Sequence, residues 1–225
     1  MLLAALTVPA LVTPAHAAES DDSKVTFTVA LLNDVDSFNP FKGYLAESYE
    51  MWALMYDYMT GYKMSDMSPE PALAESWDTS KDGLTWTFHI REGVTWSDGQ
   101  PLTAKDIAYT YNRVLDGKTE SYNWGSYLKS VDTVTASDDQ TVVLELSKPN
   151  ATLPLLPIPI VPEHVWDKVS ADEVRTYPAD SSIGDVVGSG AFHLVDVRGA
   201  LPVVRVGLEA VGRPTGGPLD EPERA

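Results

Sequence analysis

Leu84, Trp86, Phe88 and Ile90 alternate with Thr85, Thr87, His89 and Arg91 without a break. An alternation of period two this long fits a half-buried strand and little else, because a helix would scatter the four apolar side chains around its circumference. Turn chemistry bounds the run on both sides, with Asp82-Gly83 before it and Glu92-Gly93 after it. The chain then passes through Val94-Thr95-Trp96 and turns again at Ser97-Asp98-Gly99. His89 falls on the polar face beside Arg91, which makes it a solvated side chain rather than a ligand or a base.

The same reading extends along the chain and gives a mixed α and β domain. Residues 25–32 read as a strand, followed by a turn-rich loop over 33–40. Tyr49, Trp52, Ala53, Tyr56 and Met59 recur at helical spacing over 46–59, an aromatic face assigned to the core rather than to a ligand platform. Thr103 and Asp106 form a capping box that opens a helix bearing Ile107, Ala108, Tyr111, Val114 and Leu115 on one face. Residues 131–136 and 141–146 make a hairpin with Val142, Leu144 and Leu146 inward. Pro154, Pro157, Pro159 and Pro162 impose an extended connection up to Glu163-His164-Val165-Trp166. Ser170 and Glu173 give a second small capping box, and residues 191–195 alternate as a further strand.

Charge and composition exclude several classes of function. With 33 acidic against 16 basic residues the net charge is −17, unsuited to gripping a phosphate backbone, so no nucleic-acid partner is expected. There is no cysteine, and with it go disulfides, thiolate metal sites, a cysteine nucleophile and a cysteine lipid anchor. Four scattered histidines suggest no metal site. Gly188-Ser189-Gly190 is not a nucleophile elbow, since its glycines flank the serine directly. No phosphate loop, dinucleotide fingerprint or distinct carboxylate pair is present, so no catalytic residue and no cofactor is assigned. The amino-terminal segment reads as an address. Residues 2–12 are almost wholly apolar, and Ala15-His16-Ala17 has the form of a signal-peptidase site, although no Lys or Arg precedes the run. The expectation is a signal peptide over 1–17 and an extracellular or periplasmic product beginning at Ala18.

Leu73-Ala74-Glu75-Ser76-Trp77, followed by the segment from Asp82 through Trp86, Trp96 and Asp98 to Gly99, closely resembles the hallmark of family 5 extracellular solute-binding proteins of ABC importers. The resemblance continues, in order, through residues 102–106, 141–150 and 162–165 to Gly188-Ser189-Gly190-Ala191-Phe192. It implies a type II periplasmic-binding-protein-like α/β fold with a mixed sheet. Residues 18–45 and 178–198 would belong to the first lobe, 46–177 to an extra subdomain, and the second lobe would be missing. It also implies a monomeric, non-enzymatic receptor that carries a small solute, a peptide above all, to an ABC permease. An oligosaccharide is the alternative solute within the family, and an exported hydrolase the alternative outside it.

In that family the loop after the first strand reaches the ligand cleft, which marks Gly43, Tyr44 and Leu45 as ligand-binding candidates. Gly43 would admit close backbone approach and Tyr44 would offer a ring and a hydroxyl. The alternative for Tyr44 is an ordinary surface aromatic. Trp124, between Asn123 and Gly125, is a lesser candidate whose alternative is burial. Beyond residue 198 the composition shifts: residues 199–225 hold five Gly, four Pro and three Arg, with no aromatic, Lys, Ser or Asn. They read as an aberrant, out-of-frame tail, disordered over 207–225, and the chain as an incomplete binding protein with impaired ligand binding.

Overall fold

The computed structural model describes residues 26–31, 33–117, 119–178, 186–198 and 204–210. The expected signal peptide lies outside them, as do residues 211–225. In chain order come strand β1 (Thr26–Leu31), helix α1 (Ala46–Met55), and strands β2 (Thr60–Tyr62), β3 (Pro69–Pro71), β4 (Ala74–Thr79) and β5 (Thr85–Ile90). Helices α2 (Ala104–Asp116) and α3 (Ser121–Trp124) follow, then β6 (Val131–Ala136) and β7 (Thr141–Leu146). A 3-10 turn at Leu153–Leu155, helix α4 (Glu163–Trp166) and strands β8 (Phe192–Arg198) and β9 (Val204–Ala210) complete the set. No described helix is long and apolar enough to cross a membrane.

The alternating run becomes β5, inside a four-stranded antiparallel sheet of order β4-β5-β7-β6. Phe88 stands opposite Trp77 on one neighbour and Val142 on the other, while Leu144 stands between Trp86 and Val134. Directly opposed residues share a face, so these side chains form one apolar layer. Phe88, Ile90, Val142, Leu144 and Leu146 are buried, and Trp86 is half-buried. Helix α2 packs on β6 and β7 and buries Ile107, Ala108, Tyr111 and Val114, four of the five residues of its expected stripe. His89 lies on the other face, 3.5 Å from Asp78.

Local chemistry sets the ends of α2. The Thr103 hydroxyl accepts from the helix backbone, and the Thr103 amide donates to Asp106 Oδ2 at 2.9 Å. Asp106 does more than cap: its Oδ1 accepts the Glu163 amide at 3.0 Å, tying α4 to the start of α2. Burial pushes the Asp106 carboxyl upward, against the pull of those two amides. The second box is only half made, because the Ser170 hydroxyl donates to Glu173 Oε2 at 2.6 Å while the Glu173 amide donates to the Ser170 carbonyl. Glu173 Oε2 accepts from Ser170 N at 3.0 Å, but residues 171–176 remain a series of turns.

Two expectations are corrected. The first concerns α1, which stops at Met55 instead of continuing to Met59. Its buried residues are Ser48, Met51, Trp52 and Met55, while Tyr49 and Ala53 face outward. Residues 188–190 cross the end of this helix: Gly190 N donates to Met55 O at 2.9 Å, and Ser189 Oγ accepts the Asp57 amide at 3.0 Å. A Cβ on Gly188 would sit 2.0 Å from Met55 O, and one on Gly190 2.4 Å from Leu54 O, so both glycines exist for close approach. Tyr56 and Met59 are buried after the helix has ended.

The second correction concerns residues 207–210, expected to be disordered, while the rest of the expected tail, residues 211–225, lies outside the described residues. Residues 204–210 form β9, the middle strand of a sheet of order β1-β9-β8. Thr26 through Leu31 pair with Glu209 through Val204, and Phe192 pairs with Ala210. The sequence Val204-Arg205-Val206-Gly207-Leu208-Glu209 does alternate past Val206, and a strand flanked on both sides satisfies the ladder groups of β1 and β8.

Candidate functional site

The loop between β1 and α1 is held by two buried or half-buried polar side chains. Leu45, the residue at the amino end of α1, has no side chain able to cap. Asp36 supplies that service from a distance: its Oδ2 accepts Tyr44 N at 2.9 Å, and its Oδ1 accepts Leu45 N at 3.2 Å and Ser48 Oγ at 2.6 Å. Asn39 is fully buried; its Oδ1 accepts Phe41 N at 2.8 Å, while its amide donates to the carbonyls of Val174 and Tyr177, both at 2.6 Å. Phe41 beneath the loop meets the Trp166 ring edge-on at 5.0 Å. Arg113 in turn locks the carbonyls of Trp166 and Val169, each at 2.6 Å, and pairs with Glu120 at 2.8 Å. The loop is thereby fixed to α2 through α4.

Two of the four candidate residues, Gly43 and Trp124, meet at one aromatic cluster, and Tyr44 and Leu45 follow Gly43 in the chain with their amides held by Asp36. Gly43 is buried, and a Cβ there would lie 2.6 Å from the Trp52 ring. Its glycine is thus required by Trp52 packing, a reason different from the close ligand approach expected of it. Its carbonyl accepts Asn123 Nδ2 at 2.6 Å. Trp124 is 1% exposed, and its indole donates to Pro40 O at 2.8 Å. Its ring packs against Trp52 at 6.2 Å, Tyr49 at 5.7 Å and Tyr127 at 6.1 Å. Trp124 is therefore part of the floor, consistent with the alternative weighed for it. Leu45 is half-buried, and Tyr44 stands out at 69% exposure.

The exposed aromatic residues of these segments are phenols. Tyr49, Tyr122 and Tyr127 are exposed along with Tyr44. Burial raises the Tyr49 hydroxyl, with Tyr127 and Asp36 adding to it, and burial pushes Tyr58 up to about 12, with Tyr49 and Tyr62 contributing. Groups of this kind stay protonated at neutral pH and act as hydrogen-bond donors beside apolar rings. They offer no nucleophile. Among the described residues no group of three or more His, Asp or Glu could hold a metal ion. Sequence reasoning missed Asp36 and Asn39 as organisers of the loop. Their signal was the Asp36-Ser37-Phe38-Asn39 turn chemistry, legible as a loop but silent about which amides it would hold.

The family description "Bacterial extracellular solute-binding proteins, family 5 Middle" matches residues 68–204. The chain is 34% identical over 182 residues to the dipeptide-binding protein DppE of Bacillus subtilis, covering 73% of this chain and 32% of that protein. It is 34% identical over 187 residues to the periplasmic oligopeptide-binding protein OppA of Escherichia coli, with the same two coverages, 73% and 32%. The fold matches the oligopeptide-binding protein AppA of Bacillus subtilis, solved in complex with a nonapeptide, with a TM-score of 0.64 at 23% identity over 75% of this chain and 33% of that one. The chain thus spans about a third of the length of these relatives. Sequence, fold and the order of the motifs agree: this chain belongs to the family 5 bacterial extracellular solute-binding proteins.

Proposed function

We propose that the chain forms part of an exported receptor that delivers peptides to an ABC permease, with Tyr44 and Leu45 facing the solute and Gly43 and Trp124 holding them in place. The observation that carries this reading is the 34% identity to a dipeptide-binding and an oligopeptide-binding protein. The site chemistry supports it, since a fixed loop with exposed phenol donors suits a ligand rich in carbonyl acceptors, and recognition needs no nucleophile. Peptide is preferred to oligosaccharide because DppE and OppA are named as dipeptide- and oligopeptide-binding proteins.

A two-lobed cleft draws affinity from both walls, and the chain matches about a third of its relatives. The 225-residue polypeptide alone is therefore expected to bind more weakly than about 1 μM, short of roughly 8 kcal/mol. Saturation-transfer NMR detects such binding. A tripeptide at millimolar concentration should receive saturation from the protein, Tyr44→Ala should abolish the signal, and an oligosaccharide should receive none. Transfer to the sugar alone, or transfer to peptide unchanged in Tyr44→Ala, would overturn the reading.

A further inference from the structure

The described methionines divide sharply. Met51, Met55 and Met59 are 1%, 1% and 0% exposed in the core, whereas Met64 and Met67, in the turn between β2 and β3, are 85% and 56% exposed. Side chains this exposed contribute little to packing, and Met67 also sits at a φ of 58°, a left-handed backbone that a non-glycine residue adopts at a cost. The turn does not need either side chain. Its bonds are Lys63 N to Ser68 O and Met67 N to Lys63 O, both 2.8 Å, and Ser68 N to Asp66 Oδ1 at 3.0 Å. The hairpin is anchored at its base instead, where Leu73 N and Ala74 N donate to the carbonyls of Tyr58 and Met59. Chemistry at the tip is therefore separated from the fold.

We propose that Met64 and Met67 form a reversible oxidation site whose oxidant is a peroxide. The peroxide transfers one oxygen atom to each thioether sulfur; the sulfur is oxidised by two electrons to the sulfoxide, and hydrogen peroxide is reduced to water. The product converts an apolar tip, which also carries the half-exposed Tyr62, into a polar one without disturbing the core. Burial of Met51, Met55 and Met59 protects them, because a peroxide reaches them only through opening of the structure. The site stands whether or not the chain binds peptide.

The sequence makes the test direct. Trypsin cleaves after Lys42, Lys63 and Lys81, so Met64 and Met67 fall in the peptide 64–81 and the three buried methionines in the peptide 43–63. The folded 225-residue protein is treated with graded hydrogen peroxide, then digested, with fragmentation spectra assigning each added oxygen. Peptide 64–81 should oxidise at least about tenfold faster than peptide 43–63, and the difference should vanish in denaturant. Methionine sulfoxide reductases, with a dithiol such as dithiothreitol giving up two electrons to form its disulfide, should return both sulfoxides to thioethers and release water, and the oxidised protein should keep its melting temperature. A Met64→Leu, Met67→Leu double variant should take up no oxygen at these positions while melting normally. Equal oxidation of the two peptides in the folded protein, or sulfoxides that resist reductase, would overturn the proposal.

Discussion

Replacing Arg113 with Met tests the clamp beneath the candidate loop. The guanidinium is 13% exposed and Glu120 3%, so the pair is buried. Arg113 reaches Glu120 Oε1 at 2.8 Å, the carbonyls of Trp166 and Val169 at 2.6 Å each, and the Tyr109 hydroxyl. Methionine fills much of the volume but donates nothing. Two carbonyls lose their donor, at about 1–3 kcal/mol each if they stay dry. Removing one partner of a buried ion pair costs about 3–5 kcal/mol, because the other charge is left behind. The effects overlap, since one guanidinium makes all of these contacts, so the total is set at about 3–5 kcal/mol. For a chain of this size that lowers the melting temperature by roughly 6–20 °C. Thermal and urea unfolding followed by tryptophan fluorescence report it directly. An Arg113→Met, Glu120→Leu double variant removes the stranded carboxylate and should regain at least about 1 kcal/mol relative to Arg113→Met. A single variant within about 1 kcal/mol of the parent, or strict additivity of the two changes, would refute the argument that Arg113, held by Glu120, fastens α4 to α2.

Other outcomes follow from the sheet and from the buried phenols. Phe88→Ala should cost about 3–5 kcal/mol, since the ring is fully buried between Trp77 and Val142, whereas His89→Ala on the opposite face should stay within about 0.5 kcal/mol. Denaturant titration of both variants checks the contrast. Burial holds the Tyr58 hydroxyl at about 12 in the folded state against 10.0 for an ordinary tyrosine. Its contribution to stability is present below pH 10 and lost as pH rises toward 12, because the unfolded state releases the proton first. Tyr58→Phe should make the fall in unfolding free energy across that interval shallower, measured by denaturant titration at stepped pH.

Local signals carried much of the fold. The alternation in β5, the β6–β7 hairpin and the Thr103–Asp106 capping box were all legible, because each is decided by residues within a few positions of one another. The ordered motifs also identified the family, and they did so through scaffold residues such as Phe88 and Trp96, both buried. What distance decides was not legible. Apolar spacing continued to Met59, but α1 ends at Met55 because Gly188 and Gly190, more than a hundred residues later, occupy the space above its last carbonyls. The strand β9 falls in a segment whose composition reads as an aberrant tail, and its short alternation becomes a strand only where the edges of β1 and β8 offer hydrogen bonds on both sides. The site shows the same division. Sequence alone marked Gly43, Tyr44, Leu45 and Trp124 as candidates, while only tertiary packing decided that Trp52 excludes a side chain at Gly43, that Trp124 forms the floor, and that Tyr44 is the ring left facing solvent. Backbone propensity and periodicity act over one or two turns of chain, but which side of an aromatic ring meets water depends on segments that only folding brings together.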